Sequence, residues 1–149
     1  AFGRTLIDQP LMQNVLADLA IESEAATVSM LRLARAFDEG GRDPEQRAFA
    51  RLATAVLKYW VCKRNPMLAA EALECLGGNG YVEESVLPRL FRESPLNGVW
   101  EGSGNVICLD VLRAMGRSPE AVELFFAEVE SASDARLSRA VEAARTELR

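Results

Sequence analysis

Two short stretches of this sequence bring together residue types suited to chemistry. Trp100-Glu101-Gly102-Ser103-Gly104-Asn105 sets one carboxylate between a large aromatic side chain and a glycine, just ahead of a helical pattern. A carboxylate exposed in an apolar cleft has its pKa raised toward neutrality, where it abstracts protons most effectively. The same residues are good helix N-terminal groups, because Glu101, Ser103 and Asn105 can satisfy free N–H donors and complement the helix dipole. The second stretch is Gly77-Gly78-Asn79-Gly80. A backbone without Cβ atoms lets a phosphate or pyrophosphate approach its N–H groups. It is equally a helix stop followed by a turn. It is not the G-x-G-x-x-G fingerprint, and no strand pattern precedes it. Spacing alone leaves both stretches open between the two readings.

Composition narrows the chemistry. None of the 149 residues is histidine, which excludes Ser-His-Asp and Cys-His nucleophilic machinery, His-ligated zinc and Glu-x-x-His di-iron sites. The three cysteines, Cys62, Cys75 and Cys108, have no C-x-x-C spacing. They read as reduced thiols of a cytoplasmic protein, with neither a disulfide framework nor a metal-ligating set. The net charge of −5 argues against the whole chain acting as a basic nucleic-acid clamp. Of the 17 cationic residues, 15 are arginine and only Lys58 and Lys63 are lysine. No apolar run approaches the roughly 18–20 residues that span a bilayer. The opening Ala-Phe-Gly-Arg reads as the interior of a longer protein.

The elements that must hold these stretches read as helices. Apolar residues make up 49% of the chain, enough for one core, and alanine, leucine and arginine dominate. A first helix is expected from about Pro10 to Phe37, with Met12, Val15, Leu19, Ala26, Met30, Leu33 and Phe37 on its buried stripe. Asp8 is placed to cap it, and Glu22-Ser23 interrupts the stripe, so one polar position is expected to face inward. Gly40-Gly41-Arg42-Asp43-Pro44 ends that helix and starts a second, from about Pro44 to Leu76. Pro66 is expected to kink or split it near Arg64-Asn65. A short helix lies within Glu84–Arg92, and Glu93–Gly104 reads as a polar, glycine-rich loop. Further helices are expected at about Asn105–Met115, ended by Gly116, then Pro119–Ser131 and Asp134–Leu148. The fold class is all-α, an antiparallel four- to five-helix bundle. Tyr59, Trp60 and Phe91 exceed what such a bundle covers, so a second copy of the chain is expected to pack on it.

The ordered motifs F-G-R-x-L-I (Phe2 to Ile7), L-G-G-N-G-Y (Leu76 to Tyr81), P-R-L-F-R-E (Pro88 to Glu93) and W-E-G-S-G-N (Trp100 to Asn105) resemble the C-terminal helical domain of acyl-CoA dehydrogenases. D-Q-P-L-M-Q, C-K-R, E-E-S-x-L-P-R-L and W-E-G-S-G-N-V-I-C-L-D-V-L-R resemble the DNA-alkylation-response (AidB-type) branch of that family. The resemblance covers residues 1–117 as one bundle, with 118–149 as the start of an extra helical domain. It implies a homodimeric or homotetrameric flavoprotein with FAD as cofactor and an acyl-CoA-like substrate. It implies that Gly77, Gly78 and Gly80 lie against the FAD of a partner subunit, with Phe2 nearby. Glu74 stands where the family has glutamine, and Ser103 and Asn105 match positions that touch FAD. Glu101 matches the base that removes the α-proton of the thioester while the β-hydrogen leaves as hydride to flavin N5. Trp100 replaces the usual tyrosine and, with Gly102, lines the acyl pocket. The sequence departs from the family at Pro10, where relatives carry glutamine, and it lacks the arginine that precedes Phe-Gly.

Three functions compete on these residues: an acyl-CoA oxidoreductase domain, an alkylation-response flavoprotein that holds DNA and has little dehydrogenase activity, and a helical oligomerisation module. Arg113 and Arg117 are the candidate DNA contacts. Residues 118–149 contain 4 arginines and 7 acids, a net of −3, where a DNA surface should show a cationic stripe. Without strands to hold a flavin ring, the segment by itself is expected to be inactive.

Overall fold

The structure is a computed structural model that describes residues 3–148; Phe2 lies outside the described residues. Seven α-helices occur among them: α1 (Pro10–Glu39), α2 (Pro44–Cys75), α3 (Gly78–Tyr81), α4 (Leu87–Glu93), α5 (Gly104–Arg117), α6 (Pro119–Glu130) and α7 (Ala135–Glu147). Two 3-10 segments, Leu6–Asp8 and Ser94–Gly98, complete the order, and no strand is present among the described residues. The all-α class read from the sequence is the class observed. No helix of the described residues is long and apolar enough to cross a membrane.

Local chemistry explains most boundaries. The α1–α2 turn closes with Gly40 N–H on the Ala36 carbonyl (2.9 Å) and Asp43 N–H on that of Glu39 (3.0 Å). A Cβ at Gly40 would stand 2.9 Å from the Ala36 oxygen and 3.3 Å from Arg47 Cα, so glycine lets the two helices meet. Asp43 caps α2 by accepting the Glu45 N–H at 2.8 Å. Asp134 caps α7 in the same way, accepting the Arg136 N–H at 2.7 Å. The Asp8 carboxylate accepts the Thr5 hydroxyl at the approach to α1.

Several boundaries differ from expectation. α2 is not split at Pro66, which sits inside an unbroken helix. Having no N–H, Pro66 cannot donate to the Cys62 carbonyl one turn back. That carbonyl faces Gly98, where a Cβ would lie 3.7 Å away. α5 runs through Gly116 to Arg117 before Pro119 opens α6, because a single interior glycine costs a helix only about 1 kcal/mol. α4 lies around Pro88 as expected and ends at Glu93, one residue past the expected range, with Pro88 in its first turn. Residues 78–81 and 94–98, expected as turn and loop, wind into short helical segments. On α1 Met12, Val15, Leu19, Ala26 and Leu33 of the expected stripe are half-buried, but Met30 and Phe37 are exposed and the buried position at that end is Ala36.

The chain divides into two compact units. The first joins the described residues up to Arg32 with Leu57–Ile107. Here Glu22 faces inward from α1 and receives two N–H bonds from the Arg64 guanidinium, one of 2.7 Å to Oε2. The second joins Leu33–Val56 with the described residues from Cys108 onward. Its core is Leu52, Ala114 and Ala121, packed by Val56, Val111, Met115, Val122 and Phe125. Phe49 stacks on Phe125 with ring centroids 6.1 Å apart, and Arg51 grips Asp110 with two bonds of 2.7 and 3.0 Å.

Candidate functional site

The carboxylate picked out from the sequence sits on a held loop of the first unit. The 3-10 segment Ser94–Gly98 delivers the chain to Val99 and Trp100, whose N–H groups both return to the Leu96 carbonyl at 2.9 and 3.1 Å. Glu101 follows at φ 56° and Gly102 at φ 118°, two successive residues in the left-handed half of backbone space. Glycine visits that region freely; glutamate does not. Ser103 then accepts the Ile107 N–H on its carbonyl at 2.9 Å and starts α5.

From the other side α2 supplies the seat. Lys58 Nζ donates to the carbonyls of Asn97 and Trp100, each at 3.0 Å. A Cβ on buried Gly104 would stand 2.6 Å from Lys63 Cε and 3.4 Å from Tyr59 Cε2. The two lysines of the chain thus flank the loop that carries Glu101. Both partners of Lys58 lie about forty residues downstream, so no local pattern could have marked it.

Glu101, Trp100, Ser103 and Asn105 are exposed, and Trp100 keeps 55% of its surface. The apolar enclosure expected around Glu101 is therefore not built by these residues. An apolar groove of about 470 Å³ does exist in the first unit, lined by Leu19, Trp60, Leu68, Leu87 and Leu90 and crossed by the Glu22–Arg64 pair. Its lining includes Glu22, the polar position expected to face inward, but none of the candidate catalytic, cofactor or DNA-contact residues. Arg64 lies over the Trp60 ring at 5.3 Å and holds the Glu22 carboxyl below its ordinary range.

The glycine stretch lies elsewhere. α2 ends at Cys75, roughly 18 Å along its axis from Lys63 at 1.5 Å per residue. Gly77 has φ 57°. Gly80 is buried, and a Cβ there would fall 2.2 Å from the Leu73 carbonyl oxygen, so the fold itself requires that glycine. Gly78 is different: it is exposed, has no positive φ, and a Cβ would meet nothing within 4 Å. Glu74 is exposed on the last turn of α2.

The arginines named as DNA contacts are exposed on α5, and Arg113 donates to Asp110 at 3.2 Å. Along the tail, Arg136 pairs with Asp134 at 2.6 Å, and Arg145 pairs with Glu123 and Glu130 while lying over Phe126. The first is a contact to the cap of α7 and the second joins α7 to α6, so these two tail arginines are held by neighbouring carboxylates.

The all-helical fold and the sequence that builds it match one family over most of the chain. Residues 1–116 match the acyl-CoA dehydrogenase C-terminal domain. AidB of Escherichia coli (strain K12) is 46% identical over 99% of this chain and 28% of its own length. Acyl-CoA dehydrogenase family member 11 of Caenorhabditis elegans is 31% identical over 99% of this chain and 25% of its own. The crystal structure of Caenorhabditis elegans ACDH-11 in complex with C11-CoA superposes with TM-score 0.81 at 30% identity, covering 98% of this chain and 26% of that one. A second structure, Bd2924 in its apo form, gives TM-score 0.79 at 30% identity over 87% of this chain. The chain belongs to the acyl-CoA dehydrogenase family, as its C-terminal helical domain. It spans about a quarter of the length of these relatives.

Proposed function

We propose that this domain supplies the catalytic base and part of the cofactor cradle of an FAD-dependent oxidoreductase acting on the CH–CH group of acyl-CoA-type thioesters. The observation that carries the reading is Glu101: a non-glycine residue held at φ 56°, exposed, with its loop tied down from both sides. Strained residues of this kind persist where the surroundings over-determine them, and they cluster at functional sites. Glu101 takes the α-proton of the thioester on a carboxylate oxygen. Trp100 and Gly102 form the wall beside the acyl chain, and the walls still missing come from the remainder of the polypeptide.

FAD fits the residues present. Nothing among the described residues requires glycine at Gly78, whereas a cofactor edge brought against the backbone would. Gly77 and Gly78 would hold it on a neighbouring copy of the protein, with Glu74 alongside; Ser103 and Asn105 would hold it at the Glu101 end. Gly80 contributes by packing α3 onto α2. Bound FAD supplies the two-electron acceptor. The protein is read as a cytoplasmic homo-oligomer, which also covers the exposed Tyr59 and Phe91.

Glu101→Gln in the full-length protein tests the reading. Bleaching of the flavin by acyl-CoA is expected to fall at least a hundredfold, with FAD content unchanged. Bleaching as fast as wild type would remove Glu101 from the role of base. DNA holding is the alternative reading, through Arg113, Arg117 and the tail; a gel shift of the full-length protein, lost on neutralising both arginines, is the outcome that would favour it.

A further inference from the structure

We infer that Lys58 is the positioning residue for Glu101, an inference that rests on the function proposed above. Its ammonium reaches the Asn97 and Trp100 carbonyls together, each at 3.0 Å. Asn97 lies in the 3-10 segment that leads into the loop, and the Trp100 carbonyl belongs to the peptide unit joining Trp100 to Glu101. The plane of that peptide sets the direction in which the chain enters Glu101. The Trp100 N–H is already held by Leu96, at 3.1 Å, so Lys58 fixes the opposite end of the residue. With both ends held, the backbone has little freedom left at Glu101, and φ 56° becomes tenable for a residue with a Cβ.

The identity of the side chain follows from this geometry. Two carbonyls converging on one point suit a compact cation with several rotatable donors on a flexible stem, a demand that lysine meets fully and a planar guanidinium fork meets in part. In a chain whose cations are otherwise arginine, lysine appears only at positions 58 and 63, and both meet this loop. Tyr59 and Lys63 complete the seat by packing on Gly104, where α5 begins. The ammonium touches no reacting atom; it acts through the peptide before Glu101.

The test uses the full-length protein with Lys58→Met, which keeps the stem and removes the donors, and Lys58→Arg, which restores charge and donors. Two readouts are taken. The first is amide hydrogen exchange across residues 98–104. It is expected to speed up about tenfold or more in Lys58→Met and to return at least halfway to wild type in Lys58→Arg. The second is turnover of acyl-CoA: kcat is expected to fall about 10- to 100-fold with KM within about twofold, since a displaced base weakens the chemical step rather than binding. Should Lys58→Met fail to accumulate in folded form, Lys58→Gln replaces it. Unchanged exchange in the loop would overturn the inference whatever the activity. Faster exchange with wild-type kcat would equally overturn it, because the loop would then not need Lys58 to place its base. A wild-type protein that oxidises no acyl-CoA would sink the proposed function instead, and the exchange measurement and its rescue would alone decide on Lys58.

Discussion

At the scale of single residues, Glu101 and the glycines make separable predictions. A left-handed backbone costs a residue with a Cβ roughly 1–2 kcal/mol. Glu101→Gly is therefore expected to raise the stability of the chain by about 1 kcal/mol, read by thermal unfolding, while removing the proposed base. A loss of stability would mean that the side chain supports the loop. Gly80→Ala is expected to cost about 1–3 kcal/mol, because the new Cβ would meet the Leu73 carbonyl and neither backbone can give way easily. Gly78→Ala should leave stability unchanged yet lower FAD retention in the full-length protein, with absorbance per subunit as the measure. The glycine and glutamate motifs were legible in the sequence as candidates. What spacing could not convey was which glycine the fold itself consumes, since that depends on how closely α3 approaches the end of α2.

At the scale of elements, strong chemical punctuation was readable and weak punctuation was not. Asp43-Pro44 and Gly40 mark their helix ends with a side-chain cap and a steric requirement, and both stand where the sequence put them. Gly116 reads as a stop, but its penalty is small beside the continuing helical bonds of α5. Lys58 escaped notice because its partners are long-range carbonyls, which no periodicity encodes. The Arg51–Asp110 pair joins α2 to α5 in the second unit and makes a pH-dependent contribution. The bonded Arg51 guanidinium chiefly, and Arg113 in addition, hold the Asp110 carboxyl below its ordinary 3.8. The folded-state pKa is the depressed one, so the pair stabilises above the unfolded value and its effect fades as pH falls through the folded value. Asp110→Asn is expected to lower stability near neutral pH by no more than about 1 kcal/mol, both partners being substantially exposed. The gap between the two urea midpoints should close at acid pH; a gap that widens on acidification would contradict the pairing.

At the scale of the whole chain, the two units differ in how far their own residues bury them. Ala36, Phe49, Ala50, Leu52, Ala53, Ala55, Ala114, Ala121 and Val141 are buried in the second unit, while the first buries Ile107 and Pro88 with the small residues Gly80, Ser94 and Gly104. Leu11, Ile21, Val28, Leu31, Met67 and Tyr81, all in the first unit, are exposed. The unit that carries Glu101 and the glycine stretch thus leaves more large apolar side chains exposed than the second, where Phe37, Leu109 and Leu112 are the most exposed, in a chain about a quarter the length of its relatives. Amide exchange on the 149-residue chain is expected to be slowest at 49–55 and 114–121 and much faster at 11–31. Uniform protection would mean that the first unit is complete by itself. The pair of lysines has a practical consequence. A lysine-specific protease finds only two cleavage sites in this sequence, both in the middle of α2 and both beneath the Glu101 loop. Resistance to such a protease reports whether that short stretch of helix and its cargo stay closed. An amine-directed label read at Lys58 against Lys63 follows the same event without cutting the chain.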